Sequence, residues 1–441
     1  MSTSARSVRA GLSLRANFSW TFVGNVVYAA CQWGMLAVLA KLGSPEMVGQ
    51  FALGLAIAVP VMSFATLKTR LVQATDARRE YLFGDYLGLR LITTALALLV
   101  VAGIALVSGY HWETALVVLA VGTAKAFESI SDVFYGLLQQ RERMDRVAKS
   151  LIIRGPLSLV ALGIGTYLTG SVFWGAVGLA VAWALVLVIY DIRSGMLILG
   201  QVIQPGDPVS EDGDLRPGLR PRWKLRTLAG LAWLALPLGI VVTLDSLRTN
   251  MPRYFIAQYM GEYELGIFAP MAYLKKVGNL VIIALGLSVT PQLARHYAAR
   301  DVLKFRALLL KLVGISALLG VGGVLMSLFA GREILTLLYR PEYAGHHDVF
   351  VMLMMAAGLD YMATFLDYGM SAARYFRVQV PLLVAVIATV ALVCLWLIPS
   401  RGLLGAAIAV ILGTVVRVVG SLAIVAHALR ALSRDTATEL I

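Results

Sequence analysis

Residues 237–269 read PLGIVVTLDSLRTNMPRYFIAQYMGEYELGIFA, a hydrophobic segment that is long enough to enter a bilayer and then becomes polar. It places Asp245, Arg248, Asn250 and Arg253 where a membrane helix is normally apolar. An ionisable group at the bilayer centre costs roughly 2.5–3.5 kcal/mol on insertion scales, so it faces a partner or a water-filled cavity. The stretch therefore indicates a membrane helix that carries either a site or an ion pair.

The spacing of these residues leaves two interpretations open. Asp245 and Arg248 are three residues apart and can pair on one helix face. Pro252 donates no backbone hydrogen bond and crowds the carbonyl of Arg248, which predicts a bend beside the charges. Bent, charged helices form substrate sites in transporters. The alternative is a structural Asp–Arg pair that locks two helices together, but Arg253 adds a second cation with no nearby carboxylate and favours the substrate site.

The composition of the whole chain is that of a membrane protein. Of its 441 residues, 59% are hydrophobic and only 14% are charged, which excludes an ordinary soluble domain and predicts an all-α polytopic fold. The formal net charge of +13 agrees with basic cytoplasmic loops, so we expect a lipid bilayer and no nucleic acid as partner. Cys31 and Cys394 both lie in apolar segments, so no disulfide framework is expected.

Apolar segments of about 20 residues predict the transmembrane spans. Twelve such spans are predicted, at 17–41, 48–67, 85–108, 113–138, 150–169, 172–196, 228–257, 265–292, 306–330, 348–372, 379–398 and 403–429. Residues 201–226 are rich in Pro, Gly and charge and predict a flexible cytoplasmic linker. The sequence thus predicts an N-terminal six-helix half at 1–200 and a C-terminal six-helix half at 227–441.

The distribution of basic residues predicts the orientation. If both termini are cytoplasmic, most of the 38 Lys and Arg residues lie in cytoplasmic loops and flanks. The opposite side then holds only Lys41, Arg332, Arg340 and Arg401. Six basic residues are assigned to the spans themselves: Lys125, Arg248, Arg253, Lys275, Lys276 and Arg417.

Two short motifs recur in the same order in both halves. VGQFA at 48–52 corresponds to LGIFA at 265–269. Tyr-Gly at 135–136 corresponds to Tyr-Gly at 368–369, and in both the glycine stands five residues before an arginine. These matches predict a six-plus-six duplication. Because each half has an even number of spans, the halves would be related by an axis along the membrane normal, with a cavity between them.

Further charged residues lie in spans four, eight, ten and twelve. Lys125, Glu128 and Asp132 share one face of span four, where an internal Lys–Glu pair is the structural alternative. Asp360 and Asp367 share a face of span ten, and Asp132 and Asp367 are expected at the cytoplasmic rim. Arg417 has no carboxylate within one helical turn and so needs a partner on another helix or a cavity.

Cations outnumber anions by one in these spans, which favours an anionic substrate group such as a diphosphate. The candidate substrate-binding residues are Arg248, Arg253, Asn250, Lys125, Lys275, Lys276 and Arg417. The candidate ion-coupling residues are Asp245, Glu128 and Asp360. No phosphate loop, elbow serine or metal-spaced His/Cys cluster is present, so neither catalysis nor a cofactor is expected.

Span seven also resembles the polysaccharide flippase family of the multidrug/oligosaccharidyl-lipid/polysaccharide exporter superfamily. The resemblance rests on NMPRYFIA at 250–257, YMG at 259–261 and LGIF at 265–268, with Pro252 where the family commonly has an acidic residue. LYRPEY at 338–343 and ARYFR at 373–377 look like exopolysaccharide and O-antigen members. The two-half layout agrees over nearly the whole chain.

This resemblance implies export of an undecaprenyl-diphosphate-linked oligosaccharide across a bacterial inner membrane by alternating access. A polysaccharide polymerase and a chain-length regulator are the protein partners that it implies. Two alternatives remain: a multidrug or cation antiporter of the same superfamily, which would favour carboxylates in its cavity, and a membrane-embedded enzyme of polysaccharide assembly. The longest outer segment, 331–347, is too short for the extramembrane domain expected of such an enzyme.

The basic-residue pattern can be checked with reporter fusions. A reporter that is active only in the periplasm should be active when fused after Gly109 and silent when fused at Gly213, because Gly213 lies in the predicted cytoplasmic linker. Reporter activity in cells measures both positions, and the reverse pattern would overturn the orientation.

Overall fold

A computed structural model describes residues 13–76, 78, 80–200, 219–375 and 378–438, and over these residues the chain is helical with no β-strand. The all-α prediction is confirmed. The chain divides into two compact units. The first unit comprises Met1–Gly43 and Gly54–Thr243, and the second comprises Ser44–Leu53 and Leu244–Ile441.

The first unit is built mainly from the helices of the N-terminal part of the chain. They are α1 (Leu14–Leu42), α2 (Pro45–Thr66), α3 (Thr69–Thr75), α4 (Phe83–Val107), α5 (Trp112–Gln140), α6 (Met144–Thr169), α7 (Val172–Val186) and α8 (Arg193–Gly200). A π-helical turn, Leu187–Ile192, joins α7 to α8. The core of the first unit includes Phe83, Tyr86 and Phe134. The first residues of α2 belong to the second unit.

The second unit contains the helices after α8. They are α9 (Leu225–Tyr259), α10 (Glu262–Ala298), α11 (Val302–Leu338), α12 (Pro341–Ala344), α13 (His347–Ala372) and α14 (Gln379–Thr438). Helix α9 begins in the first unit and passes into the second after Thr243. Ile282, Phe305 and Phe365 lie in the core of the second unit.

Eleven helical segments among the described residues are long and apolar enough to cross a membrane. The last of them, in α14, contains Gly402 with φ 57° and ψ −135°, a conformation that favours glycine and divides the segment in two. With that division the segments match the twelve predicted spans. The chain is therefore a multi-pass membrane protein.

Several helices extend beyond the predicted span limits. Helix α10 covers 262–298 where 265–292 was predicted, and α11 covers 302–338 where 306–330 was predicted. The apolar count stops at the first charged residues, whereas the backbone hydrogen bonds of a helix continue past them. Helix α9 is also uninterrupted through Pro252, so the proline does not end it.

The end of the predicted flexible linker is an ordered segment of the first unit. The Arg222 amide donates to the Gly84 carbonyl at 2.9 Å, and Leu219 packs against the core. A methyl group on Gly88 would overlap the carbonyl of Arg222. Residues 219–222 therefore lie against α4, where two glycines leave room for their backbone. Residues 201–218 of the predicted linker lie outside the described residues.

The two copies of the repeated glycine motif lie against each other in the second unit. A methyl group on Gly49 would overlap the backbone carbonyl of Glu262, and one on Gly266 would overlap the carbonyl of Pro45. Each glycine thus meets the residue four positions before the other glycine. The contact is reciprocal and requires that α2 and α10 approach without side chains between them.

An added methyl group should destabilise the protein at Gly49, within this contact, and stabilise it at Gly322, outside the contact. Gly49→Ala should lower the melting temperature and the membrane level, because overpacking costs about 1–3 kcal/mol. Gly322→Ala is the control, since nothing lies within 4 Å of its added methyl group and alanine favours a helix by roughly 0.5–1 kcal/mol. Thermal unfolding in detergent measures both, and an unchanged Gly49→Ala melting temperature would contradict the close contact.

Candidate functional site

The second unit contains an ion network centred on Asp360 of α13. Its Oδ1 accepts from Arg248 Nη1 of α9 at 3.2 Å and from Arg417 Nη1 of α14 at 2.5 Å. The three side chains are only 10–14% exposed. One carboxylate therefore holds two guanidinium groups and connects three helices.

Two further carboxylates complete this network. Arg248 donates from Nε and Nη2 to Asp245 Oδ1 at 3.1 and 3.0 Å. Arg417 also pairs with Asp367, whose Oδ1 accepts from Ser421 Oγ at 3.0 Å. The predicted Asp245–Arg248 pair is confirmed, and Arg417 finds its required partners on α13.

Two cations of the second unit have no carboxylate partner among the residues that the structure describes. Arg253 donates from Nη1 to Asn250 Oδ1 at 2.9 Å and forms no ion pair within 4.0 Å. Lys275 of α10 likewise has no ion-pair partner within that distance, although the charges of Asp360 and Arg248 act on it. The neighbouring Lys276 ammonium lies 4.0 Å from the centre of the Tyr273 ring.

The first unit contains the predicted internal pair of α5. Lys125 Nζ donates to Glu128 Oε2 at 2.7 Å, and Tyr28 Oη of α1 donates to Oε1 at 2.5 Å. The Lys125 ammonium also lies 4.9 Å from the centre of the Trp183 ring. Asp132 shares no contact with this pair: it accepts from other cations of the first unit, Arg70 and Arg90, at 3.3 and 3.5 Å.

A fully buried ion pair in the first unit was missed by the sequence analysis. Arg154 Nη2 of α6 donates to Asp191 Oδ2 at 2.9 Å, and both side chains are at most 1% exposed. Ser150 and Ser131 add hydrogen bonds to the two partners. Asp191 lies in the π-helical turn, an irregularity that is frequent at functional sites.

The six basic residues assigned to the spans were therefore too few. Arg154 and Arg90 are both buried within membrane helices rather than in cytoplasmic flanks. The signal was available for Arg154, which interrupts the apolar run SLIIRGPLSL at 150–159. Its partner could not be inferred, because Asp191 is 37 residues away along the chain.

Among the described residues, no group of three His, Cys, Asp or Glu side chains is placed to hold a metal ion. Six carboxylates are instead each held by an arginine or lysine: Glu128, Asp132 and Asp191 in the first unit, and Asp245, Asp360 and Asp367 in the second. The arrangement can stabilise helix contacts, and it leaves Arg253 and Lys275 able to receive an anion.

Comparison with solved structures shows the fold. The chain matches the inward-facing conformation of a multidrug resistance MATE family transporter of the MOP superfamily with a TM-score of 0.62, 16% identity and 96% coverage of each chain. It matches the outward-facing conformation of such a transporter with a TM-score of 0.57, 16% identity, and coverage of 94% and 95%.

Comparison with known sequences shows the family. The chain is 28% identical over 394 residues to the Staphylococcus aureus capsular polysaccharide biosynthesis protein CapF, covering 89% of this chain and 94% of that protein. The model of the polysaccharide biosynthesis protein family matches residues 14–297, which is more than half of the chain. This multi-pass membrane protein with a MATE-like fold therefore belongs to the polysaccharide biosynthesis protein family.

Proposed function

We propose that this protein flips an undecaprenyl-diphosphate-linked oligosaccharide across the bacterial inner membrane, for exopolysaccharide or O-antigen synthesis. The family and the capsular polysaccharide relative support polysaccharide biosynthesis. The MATE-like fold supports a transporter that works by alternating access. A lipid-linked sugar must pass its charged diphosphate and its sugars through an apolar layer, and that task suits a fold with charged groups in its membrane helices.

The observation that carries this proposal is the pair of cations without carboxylates, Arg253 and Lys275. A cation inside membrane helices is costly unless an anion or water compensates it. Arg253 donates to the amide oxygen of Asn250, which is neutral and so does not compensate the positive charge of the guanidinium. A diphosphate supplies two adjacent anionic groups, and the planar fork of arginine suits phosphate oxygens.

The remaining candidate residues take supporting roles, each within its own unit. Lys276 and Lys125 add positive charge, and each of them also lies against an aromatic ring. Arg248 can exchange Asp245, which is 54% exposed, for phosphate while Asp360 still holds it. Arg417 is held by two carboxylates and acts mainly to position Asp360.

A multidrug or cation antiporter is the less supported function. Such a transporter needs carboxylates that can receive a cationic substrate. Asp245, Asp360 and Glu128, the proposed coupling residues, are each already paired with an arginine or lysine in this structure. The two candidate residues without a carboxylate partner among the described residues, Arg253 and Lys275, are both cations.

The proposal includes the orientation and division that the sequence predicts. Both termini lie in the cytoplasm, and the six-helix halves at 1–200 and 227–441 alternate access to the two sides. No ATP-binding motif is present in the sequence, so transport runs on an ion gradient, on the membrane potential or downhill. A polymerase and a chain-length regulator would receive the exported repeat unit.

The substrate role can be tested at the two uncompensated cations. Arg253→Ala and Lys275→Ala should each lose about ten- to a hundred-fold in substrate affinity, because one charge-assisted contact is worth on the order of 1.5–3 kcal/mol. Both variants should reach the membrane at normal level and leave lipid-linked oligosaccharide in the cytoplasmic leaflet. Lys311→Ala, at an exposed lysine of α11, is the control that should export normally. Normal export by both site variants would refute the site.

The structural role of the ion network predicts a different phenotype. Asp360→Asn should reduce the amount of folded protein in the membrane, because breaking a buried ion pair costs about 3–5 kcal/mol and here two arginines lose a partner. Asp348→Asn is the matched control, since Asp348 is exposed in the first turn of the same helix. Membrane level and thermal unfolding measure the effect, and a stable Asp360→Asn protein would show that the network does not hold the helices.

A further inference from the structure

Glu128 in the first unit has two different partners, one for each carboxylate oxygen. The hydroxyl of Tyr28 donates to Oε1 at 2.5 Å from α1. The ammonium of Lys125 donates to Oε2 at 2.7 Å from one turn earlier on α5. The Glu128 side chain is 29% exposed and that of Lys125 is 15% exposed. The pair therefore keeps accessible surface although it lies within a membrane helix.

Asp191 and Asp132, two other carboxylates of the first unit, do not combine exposure with a single cation. Asp191 is fully buried with Arg154, so water does not reach it. Asp132 is held by two guanidinium groups. Asp191 therefore has no access for a proton from solvent. An added proton at Asp132 would leave two guanidinium groups beside the neutral carboxyl group.

The network of the second unit differs in another way. Neutralising Asp245 would leave its arginine paired with Asp360, and neutralising Asp367 would leave Arg417 paired with Asp360 as well. Asp360 itself is held by both arginines. Protonation of one carboxylate in this network therefore releases no cation completely.

The charged and titratable groups around Glu128 lie on its own helix and on two neighbouring helices. Lys125 and Tyr135 lie on its own helix, Tyr28 lies on α1, and Arg154 lies on α6. Arg154 is anchored by Asp191 and carries the same charge as Lys125, so it cannot replace Glu128 as the partner of the lysine. If Glu128 is neutralised, the described partner that remains to the Lys125 ammonium is the face of the Trp183 ring.

We propose that Glu128 is a proton-binding site that keeps Lys125 occupied until protonation releases the lysine to bind a substrate phosphate. A proton from water adds to the Glu128 carboxylate, and the Lys125–Glu128 ion pair is replaced by a neutral carboxyl group beside Tyr28. The released ammonium then pairs with a phosphate oxygen. This inference rests on the proposed function and names how the proton would be coupled to it.

Thermodynamic linkage makes the coupling measurable in both directions. A proton that frees Lys125 strengthens phosphate binding, and a phosphate that takes Lys125 strengthens proton binding by the same factor. An anion at Lys125 also favours the neutral form of the neighbouring carboxyl group. Substrate binding should therefore draw one proton from solution.

The experiment uses the full chain in nanodiscs of zwitterionic lipid, with undecaprenyl diphosphate as the probe. Affinity should rise as the pH falls between about pH 8 and pH 5, by up to about tenfold per pH unit for one linked proton. A pH indicator in weak buffer should record uptake of one proton per bound probe. Uptake is measured on the unmodified protein, so it does not depend on whether a variant folds.

Two variants and two controls assign the effect to this pair. Glu128→Gln should bind tightly without the wild-type pH dependence, and Lys125→Ala should bind weakly at every pH. The probe titrates by itself in the same range, so the difference between wild type and Glu128→Gln is the quantity that decides. Glu113→Gln on the same helix and Lys149→Ala on α6 change exposed side chains and should behave as wild type.

Each other outcome overturns a distinct claim. Binding with the same pH dependence in wild type and Glu128→Gln, or binding without proton uptake, overturns the role of Glu128 and leaves the proposed function intact. Failure of the wild-type protein to bind undecaprenyl diphosphate at any pH overturns the proposed function and this inference together.

Discussion

The cost of placing charge inside a bilayer is the constraint on which this structure depends. An isolated ion there is expensive, and removal of one partner from a buried pair is strongly destabilising. The second unit meets this constraint by sharing. Asp360 holds Arg248 and Arg417, so a single carboxylate fixes the contacts of α9, α13 and α14. The same ion pairs therefore neutralise the charges and hold the three helices together.

The first unit solves the same problem in two chemically different ways. Arg154 and Asp191 are fully buried, and serine hydroxyls supply further hydrogen bonds, so this pair has the properties of a structural lock. Lys125 and Glu128 are partly exposed, and the Lys125 ammonium and the Tyr28 hydroxyl each donate to one oxygen of Glu128. A lysine ammonium is a compact charge on a flexible stem and exchanges partners more easily than a forked guanidinium. The two pairs are therefore suited to different tasks.

Close backbone contacts add a second kind of order. Gly49 and Gly266 bring α2 and α10 together with no side chain between them, and Gly88 leaves space for the backbone of residue Arg222. Such contacts form only where a glycine has no side chain, whereas the ion networks form only where charged side chains meet. Together they explain why a chain of nearly uniform apolar composition has specific helix pairings, since dispersion forces between apolar side chains select partners only weakly.

The sequence by itself determined the membrane class, the twelve apolar segments and the resemblance to polysaccharide flippases. It also placed Asp245 near Arg248 and Lys125 near Glu128 on one helix face, and left open whether they form structural pairs. These features depend on composition or on residues three apart on one helix, and both can be read directly from the sequence. Only the tertiary structure decided that Arg417 meets Asp360 and Asp367, that Arg154 meets Asp191, and that Arg253 and Lys275 meet no carboxylate among the described residues. The contacts depend on which helix faces join across 37 to 57 residues of chain, and apolar periodicity does not encode that choice.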